Sequence, residues 1–316
     1  MTNLNDRLKQ SRELSWKRFG KKITMYLPGM FSLDGMRGDY PAISITGKKC
    51  SLLCDHCKGQ LLRTMPPAIT PEALVEKAID YEKKGCPGIL ITGGCDREGR
   101  FPWKEFLPAV KEIKEKTGLF VSAHSGILEA ETAKGFKEAG VDQALMDVIG
   151  DDSTYQNICH VRHGVSKIYE TIRHLADQGI DFIPHIICGL EHGRIRHEAN
   201  ALETVAGFKP RQLVIISLMP LPKTPLWGRT PPTAEEIAEI IIKARLMMPD
   251  TVLSLGCARQ RGDIQKELLA IDAGINRMAI PSEEAISHAK GYGLEIKYQK
   301  TCCSVSLPFE REGWSK

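Results

Sequence analysis

The chain has 316 residues, with 43 Lys and Arg against 39 Asp and Glu, a formal charge of +4 that is too balanced to mark a nucleic-acid footprint. No apolar run approaches the roughly 18 to 20 residues that cross a bilayer, and the N-terminus lacks the regions of an export signal, so no nucleic acid and no membrane partner is expected and the expected location is cytoplasmic. Ten cysteines in such a compartment point to metal or redox ligands rather than disulfides.

An amphipathic stretch at 4–21 opens the chain and leads into an irregular approach rich in Gly and Met. From residue 42, short β-branched runs alternate with helical patterns. Strands are predicted over 42–45, 88–92, 120–124, 143–148, 182–188, 213–218, 252–255 and 277–280, with helices such as 71–84, 129–139, 167–178, 233–248 and 264–273 between them. Start signals such as Thr70-Pro71 and Thr233-Ala234-Glu235-Glu236 open several of these helices. Eight such units predict an α/β fold, a (β/α)8 barrel of TIM type, over 42–293. The expected flanks are an N-terminal helical extension, 1–41, and a short C-terminal tail, 294–316, folded over the barrel mouth.

Cys50, Cys54 and Cys57 follow the first predicted strand on one loop. A fully thiolate-ligated electron-transfer cluster takes four cysteines, so three on one loop read as an iron–sulfur cube whose fourth iron is kept for a small molecule. A zinc ribbon would need a second Cys or His pair at matching distance, and none follows closely. Barrel enzymes carry their chemistry at the carboxyl ends of the strands. Those ends here are polar and thiol-rich: Gly93-Gly94-Cys95, Ser122 and His124, Asp147, His185 and Cys188, Ser217, and Gly256-Cys257-Ala258-Arg259. Gly93-Gly94 is expected to bring bare backbone close to a ligand. Cys86, Cys159 and Cys188 read as small packing side chains.

The three-cysteine loop resembles that of the radical S-adenosylmethionine (SAM) enzymes. The resemblance implies a [4Fe–4S] cluster on Cys50, Cys54 and Cys57, with SAM chelating the open iron and cleaved by one electron to methionine and a 5′-deoxyadenosyl radical. His56 stands where the family usually has an aromatic residue near the adenine. Gly93-Gly94-Cys95 is similar to the family's Gly-Gly-Glu segment for the methionyl amino group, with Cys95 in place of the acid. Up to about residue 293 the chain resembles biotin synthase and its relatives. Asp147-Val148-Ile149-Gly150 implies Asp147 as the ribose contact, and Ile186-Ile187-Cys188-Gly189-Leu190 implies Gly189 and Leu190 near the adenine, although His192 stands where a Glu is common. Leu218-Met219-Pro220-Leu221-Pro222 and Ala244-Arg245-Leu246-Met247-Met248-Pro249 match later segments of those enzymes.

The departures carry as much information. Biotin synthase holds a second, sulfur-donating cluster on three strand-borne cysteines and an arginine, and those positions fall on about Ile91, Ser122, Ile183 and Cys257 here. A different second iron–sulfur cluster is then expected on Cys95, Cys257, Cys302 and Cys303, with one of the adjacent tail cysteines a candidate spare. This pattern is most similar to the first subunit of the two-component lipoyl synthases. That resemblance implies sulfur insertion into an octanoyl chain on a carrier protein, either a lipoyl domain or the glycine-cleavage H protein, with a second radical SAM subunit and a reductant such as ferredoxin as partners. Radical SAM chemistry without sulfur transfer, of mutase or maturase type, and a non-catalytic iron–sulfur partner protein remain as alternatives.

Overall fold

The computed structural model describes residues 3–33 and 35–309; residues 310–316 of the expected tail lie outside the described part. The sheet is parallel throughout, because each strand is followed by a helix or long connection that returns the chain to the same end. The strands in chain order are β1 (Lys22–Tyr26), β2 (Ser32–Leu33), β3 (Met36–Arg37), β4 (Ala42–Ser44), β5 (Gly88–Thr92), β6 (Phe120–His124), β7 (Gln143–Asp147), β8 (Asp181–Cys188), β9 (Gln212–Ser217), β10 (Val252–Leu255), β11 (Arg277–Ala279) and β12 (Glu295–Gln299). Ten of them form one sheet in the order β12-β1-β11-β10-β9-β8-β7-β6-β5-β4, while β2 and β3 make a separate small hairpin. Val, Ile and Leu fill β5 and β8 to β10 because both faces of a parallel sheet are covered.

All eight predicted strands are present, within about a residue at most ends. Two more join them. β1 sits between β11 and β12, so the sheet extends past both expected barrel bounds, 42 and 293. Among the described residues no ladder joins β12 to β4, and the sheet is open there.

The tail shows how strongly the sheet curls. Gln143 Nε2, at the start of β7, donates to Ser304 O at 2.6 Å, and Arg277 Nη1, at the start of β11, donates to Val305 O at 2.7 Å. Four strand spacings separate β7 from β11, about 19 Å in a flat sheet, yet two consecutive tail residues reach both. Gln212 Nε2 of β9 donates to Cys303 O at 2.8 Å, and Ser306 Oγ donates to Asp181 of β8 at 3.2 Å. The tail therefore does not lie over the mouth as expected. After β12 it turns inside the curl and binds strand starts, because Cys303, Ser304 and Val305 are small enough to be buried there and their carbonyls satisfy the buried Gln143 and Gln212 and the half-buried Arg277.

Truncation before Thr301 leaves the buried Gln143 and Gln212 amides without their acceptors, while Arg277 keeps Gln212 Oε1. At about 1–3 kcal/mol for each buried polar group left unpaired, the unfolding midpoint in denaturant should fall by the equivalent of several kcal/mol. An unchanged midpoint would make the tail an appendage.

The helix Leu4–Phe19, capped by Asn3, packs on the helices Ala234–Met247 and Ile264–Asp272. Ser11 and Ser15 hydroxyls donate to Ala273 O and Gly274 O, both at 2.7 Å. No helix among the described residues is long and apolar enough to cross a membrane.

Candidate active site

The cysteine loop is fastened to both of its neighbours. Thr46 Oγ1 accepts from Gly94 N at 2.6 Å and donates to Lys49 O at 3.0 Å, and Ser51 N donates to Cys95 O at 2.7 Å. On the other side Asp55 N donates to Ile158 O at 2.8 Å, and Asp55 Oδ1 meets Lys58 Nζ and His160 Nε2, each at 2.8 Å. Burial tends to raise the Asp55 carboxyl, but the hydrogen bonds from Lys58 and His160 outweigh it and hold the group below its usual range. Gly94 is required at its position: a Cβ there would stand 2.1 Å from Lys49 O and 2.5 Å from Cys50 Cβ.

Cys50, Cys54 and Cys57 line a cavity of about 250 Å³ together with His56, Gly93, Gly94, Cys95, His124, Asp147, Tyr155, Cys159 and Ile187. Burial, then the neighbouring Cys54, pushes the Cys57 thiol up to about 12. The Cys54 thiol is raised by its contact with Cys159 and by burial, so iron binding here must displace protons. Asp147 opens into the cavity at the end of β7, solvent-accessible but enclosed by the cavity walls, and that enclosure raises its carboxyl to about 6. His124 Nδ1 lies 2.8 Å from Thr92 Oγ1, and its imidazole is held neutral by burial, near 4.

A second cavity of about 250 Å³ adjoins the first, sharing His56, Leu61, Met65, His124, Asp147 and Ile187 with it. Its lining is mostly apolar, including Met30, Phe31, Leu90, Ile216 and Leu221, and Cys257, Cys302 and Cys303 border it. Cys303 makes thiol hydrogen bonds with both Cys257 and Cys302; these favour the thiolate at the latter two, bringing Cys302 to about 7, and raise Cys303 itself. Cys302 Sγ also lies 3.0 Å from Ser304 Oγ. His185 completes this region, with Nδ1 at 3.1 Å from Ile183 O.

Three expected placements differ. Cys95 belongs to the first cavity, where Cys50 and Cys54 are the thiols that act on it. The four-thiol set Cys95, Cys257, Cys302 and Cys303 is therefore not assembled. The reason is local: the Gly-Gly turn carries Cys95 back against the cysteine loop, where its carbonyl accepts a hydrogen bond from the Ser51 amide. Gly189 and Leu190 lie outside both linings; Gly189 turns at φ +81° against Pro232 and Leu190 is fully buried, so Ile187 is what that segment offers. Cys159, read as packing, instead touches Cys54, with Cys54 Sγ donating to Cys159 O at 3.5 Å. Its signal in the sequence was only its place, one turn past Tyr155 at the end of the helix Asp152–Cys159.

A family model described as the radical SAM superfamily matches residues 44–200, from the end of β4 through the cysteine loop to the start of the helix Glu198–Phe208. This chain belongs to the radical SAM superfamily. A second model, the biotin and thiamin synthesis associated domain, matches residues 215–314. Similar sequences include the biotin synthase of Pelotomaculum thermopropionicum, 25% identical over 73% of each chain. The biotin synthase of Nitrosopumilus maritimus is 26% identical over 63% of this chain and 61% of its own length. Among solved structures, methylornithine synthase (PylB) superposes with a TM-score of 0.65 at 17% identity, covering 93% of this chain and 89% of that one. The hydrogenase maturase HydG of Carboxydothermus hydrogenoformans gives 0.67 at 15% identity, covering 94% and 73%. These two show a shared fold.

As a radical SAM enzyme the chain implies a [4Fe–4S] cluster and SAM. The first cavity fits that pair: three thiols come from one loop, Gly94 lets that loop pack close against the turn after β5, and His56 Nδ1 is buried with no hydrogen-bond partner.

Proposed function

We propose that this chain inserts sulfur into an unactivated C–H bond of an octanoyl chain carried on a lipoyl domain or glycine-cleavage H protein, as one subunit of a two-component lipoyl synthase. The observation that carries the reading is the meeting of Cys257, Cys302 and Cys303 at a cavity that shares lining residues with that of the cysteine loop. An aliphatic C–H offers nothing to acid–base or nucleophilic groups, so the cofactors supply the hydrogen abstraction and the protein supplies position and shelter. Cys50, Cys54 and Cys57 hold the cube in this reading. Cys257, Cys302 and Cys303 hold a second cluster whose sulfide is consumed. The apolar lining between the two sites suits an alkyl chain, and the neutral His124 and His185 place no cation there.

A specific observation favours a second reading, radical SAM chemistry without sulfur transfer: only three thiols meet at the lower site, since Cys95 lies with the first. Iron and sulfide counts on anaerobically reconstituted protein decide between them. About eight irons supports sulfur insertion, about four the second reading, and failure to bind SAM would leave a non-catalytic iron–sulfur partner.

Asp147 is assigned to the SAM ribose. Its replacement by Ala should weaken SAM binding by on the order of 1–3 kcal/mol, the cost of a charge-assisted hydrogen bond, measured by equilibrium dialysis. The carboxyl accepts best when ionised, so SAM affinity should rise as pH climbs through about 6 and level off above it. Stability runs the other way. A carboxyl with its folded pKa raised above the unfolded value, about 3.9, contributes stability that is present at lower pH and lost as pH rises through about 6. Asp147→Asn should flatten both profiles, and a pH-independent SAM affinity in the unaltered protein would remove Asp147 from the site.

A further inference from the structure

Cys54 Sγ, Cys159 Sγ and an imidazole nitrogen of His56 lie within 4.8 Å of one another. Zinc binds Cys sulfur at about 2.3 Å and His nitrogen at about 2.0–2.1 Å, so tetrahedral ligands stand roughly 3.5–3.8 Å apart. The three donors therefore need to close by no more than about 1.3 Å. Two thiolates and an imidazole suit zinc and ferrous iron and leave one position open. His56 Nδ1 is buried and unpartnered, a donor set short of something to bind.

The trio is not the cube's set. Cys50 and Cys57 take no part in it, and Cys159 comes from a different segment of the chain. Cys159 is held against the loop without help from any cluster: it ends the helix Asp152–Cys159, Ile158 O receives the Asp55 amide, and His160, at φ 62°, pairs with Asp55. Cys54 is common to both sets, so an ion on the trio and a cube on the loop exclude each other.

We propose that Cys54, His56 and Cys159 form a site for one divalent transition-metal ion, ferrous iron with zinc as its competitor, occupied while the cube is absent. The ion keeps the cysteine loop in place and gives incoming iron a first position beside the thiols that will hold it. Assembly of the cube withdraws Cys54 and releases the ion. The site depends on the radical SAM reading only for this exclusion.

The test uses full-length, chelator-stripped, reduced protein titrated anaerobically with Co2+. About one Co2+ per chain should bind, with thiolate-to-cobalt charge-transfer bands and the ligand-field spectrum of a tetrahedral site. Loss of a group that merely orients a ligand costs 10–100-fold, so Cys159→Ala and His56→Gln should each weaken Co2+ binding by at least about tenfold. Cys50→Ala, which lacks a cube ligand, should bind Co2+ as the unaltered protein does. Circular dichroism and thermal unfolding of each variant establish folding, and Cys159→Ser serves if the alanine variant does not fold. Unchanged binding in Cys159→Ala, or a loss in Cys50→Ala as complete as in Cys159→Ala, overturns the proposal, the latter because the ion would then sit on the loop triplet. Iron content after reconstitution separately reports whether the cube forms, so a failure of the cube reading leaves the Co2+ result standing.

Discussion

Cys54→Ala is expected to abolish 5′-deoxyadenosine formation from SAM under dithionite. Of the three loop thiols, Cys54 is the buried one, and the loop closes around it: the amides of Cys57 and Lys58 both donate to its carbonyl, at 3.1 and 2.8 Å. Those bonds belong to the backbone and survive the substitution. The variant should therefore keep its fold and lose one iron ligand, leaving a cube that two thiolates cannot hold with one iron free for SAM. Chromatographic assay of 5′-deoxyadenosine checks this. Turnover at the unaltered rate would end the assignment of the cube to this loop.

Cys257→Ala should leave SAM cleavage largely intact while removing about four irons and all thiolated product. Cys257 follows β10, its thiol meets that of Cys303, and the pair borders only the second cavity. Point substitution is the cleaner instrument than truncation, because the carbonyls of residues 303–305 hold Gln143, Gln212 and Arg277 at the base of the curl. Removing the tail would confuse cluster loss with unfolding. Cys303→Ala should repeat the iron loss, whereas Cys95→Ala should leave the second set of irons in place, since Cys95 lies with Cys50 and Cys54. Unaltered iron content in Cys257→Ala removes the second cluster as described.

Of the eight predicted strands, β5 and β8 to β10 were legible as short Val, Ile and Leu runs, the others from their alternation with helical patterns, and the cysteine loop from its spacing. β1 and β12 were not. Lys22-Ile23-Thr24-Met25-Tyr26 and Glu295-Ile296-Lys297-Tyr298-Gln299 alternate polar with apolar residues, and β12 is a partly exposed edge strand, so neither resembles the continuous runs of the others. The tail's course was hidden for a different reason. Its partners are the buried Gln143 and Gln212 and the half-buried Arg277, and nothing in a sequence distinguishes a glutamine that caps a carbonyl inside a sheet from one that faces water. Cys95 and Cys159 show the same limit, since a thiol's partner depends on which way a turn or helix end sends it.

Sulfur insertion requires that sulfide leave a cluster held by this chain. The direct measurement is mass spectrometry of an octanoyl-lysyl peptide after reaction with protein whose clusters were reconstituted with heavy-isotope sulfide, with SAM and dithionite, in the presence and absence of the second radical SAM subunit. The expected product with this subunit alone is a peptide carrying one labelled sulfur as a thiol, SH in place of H, with a second sulfur only when the partner is added. Unmodified peptide alongside abundant 5′-deoxyadenosine, in both reactions, would contradict it.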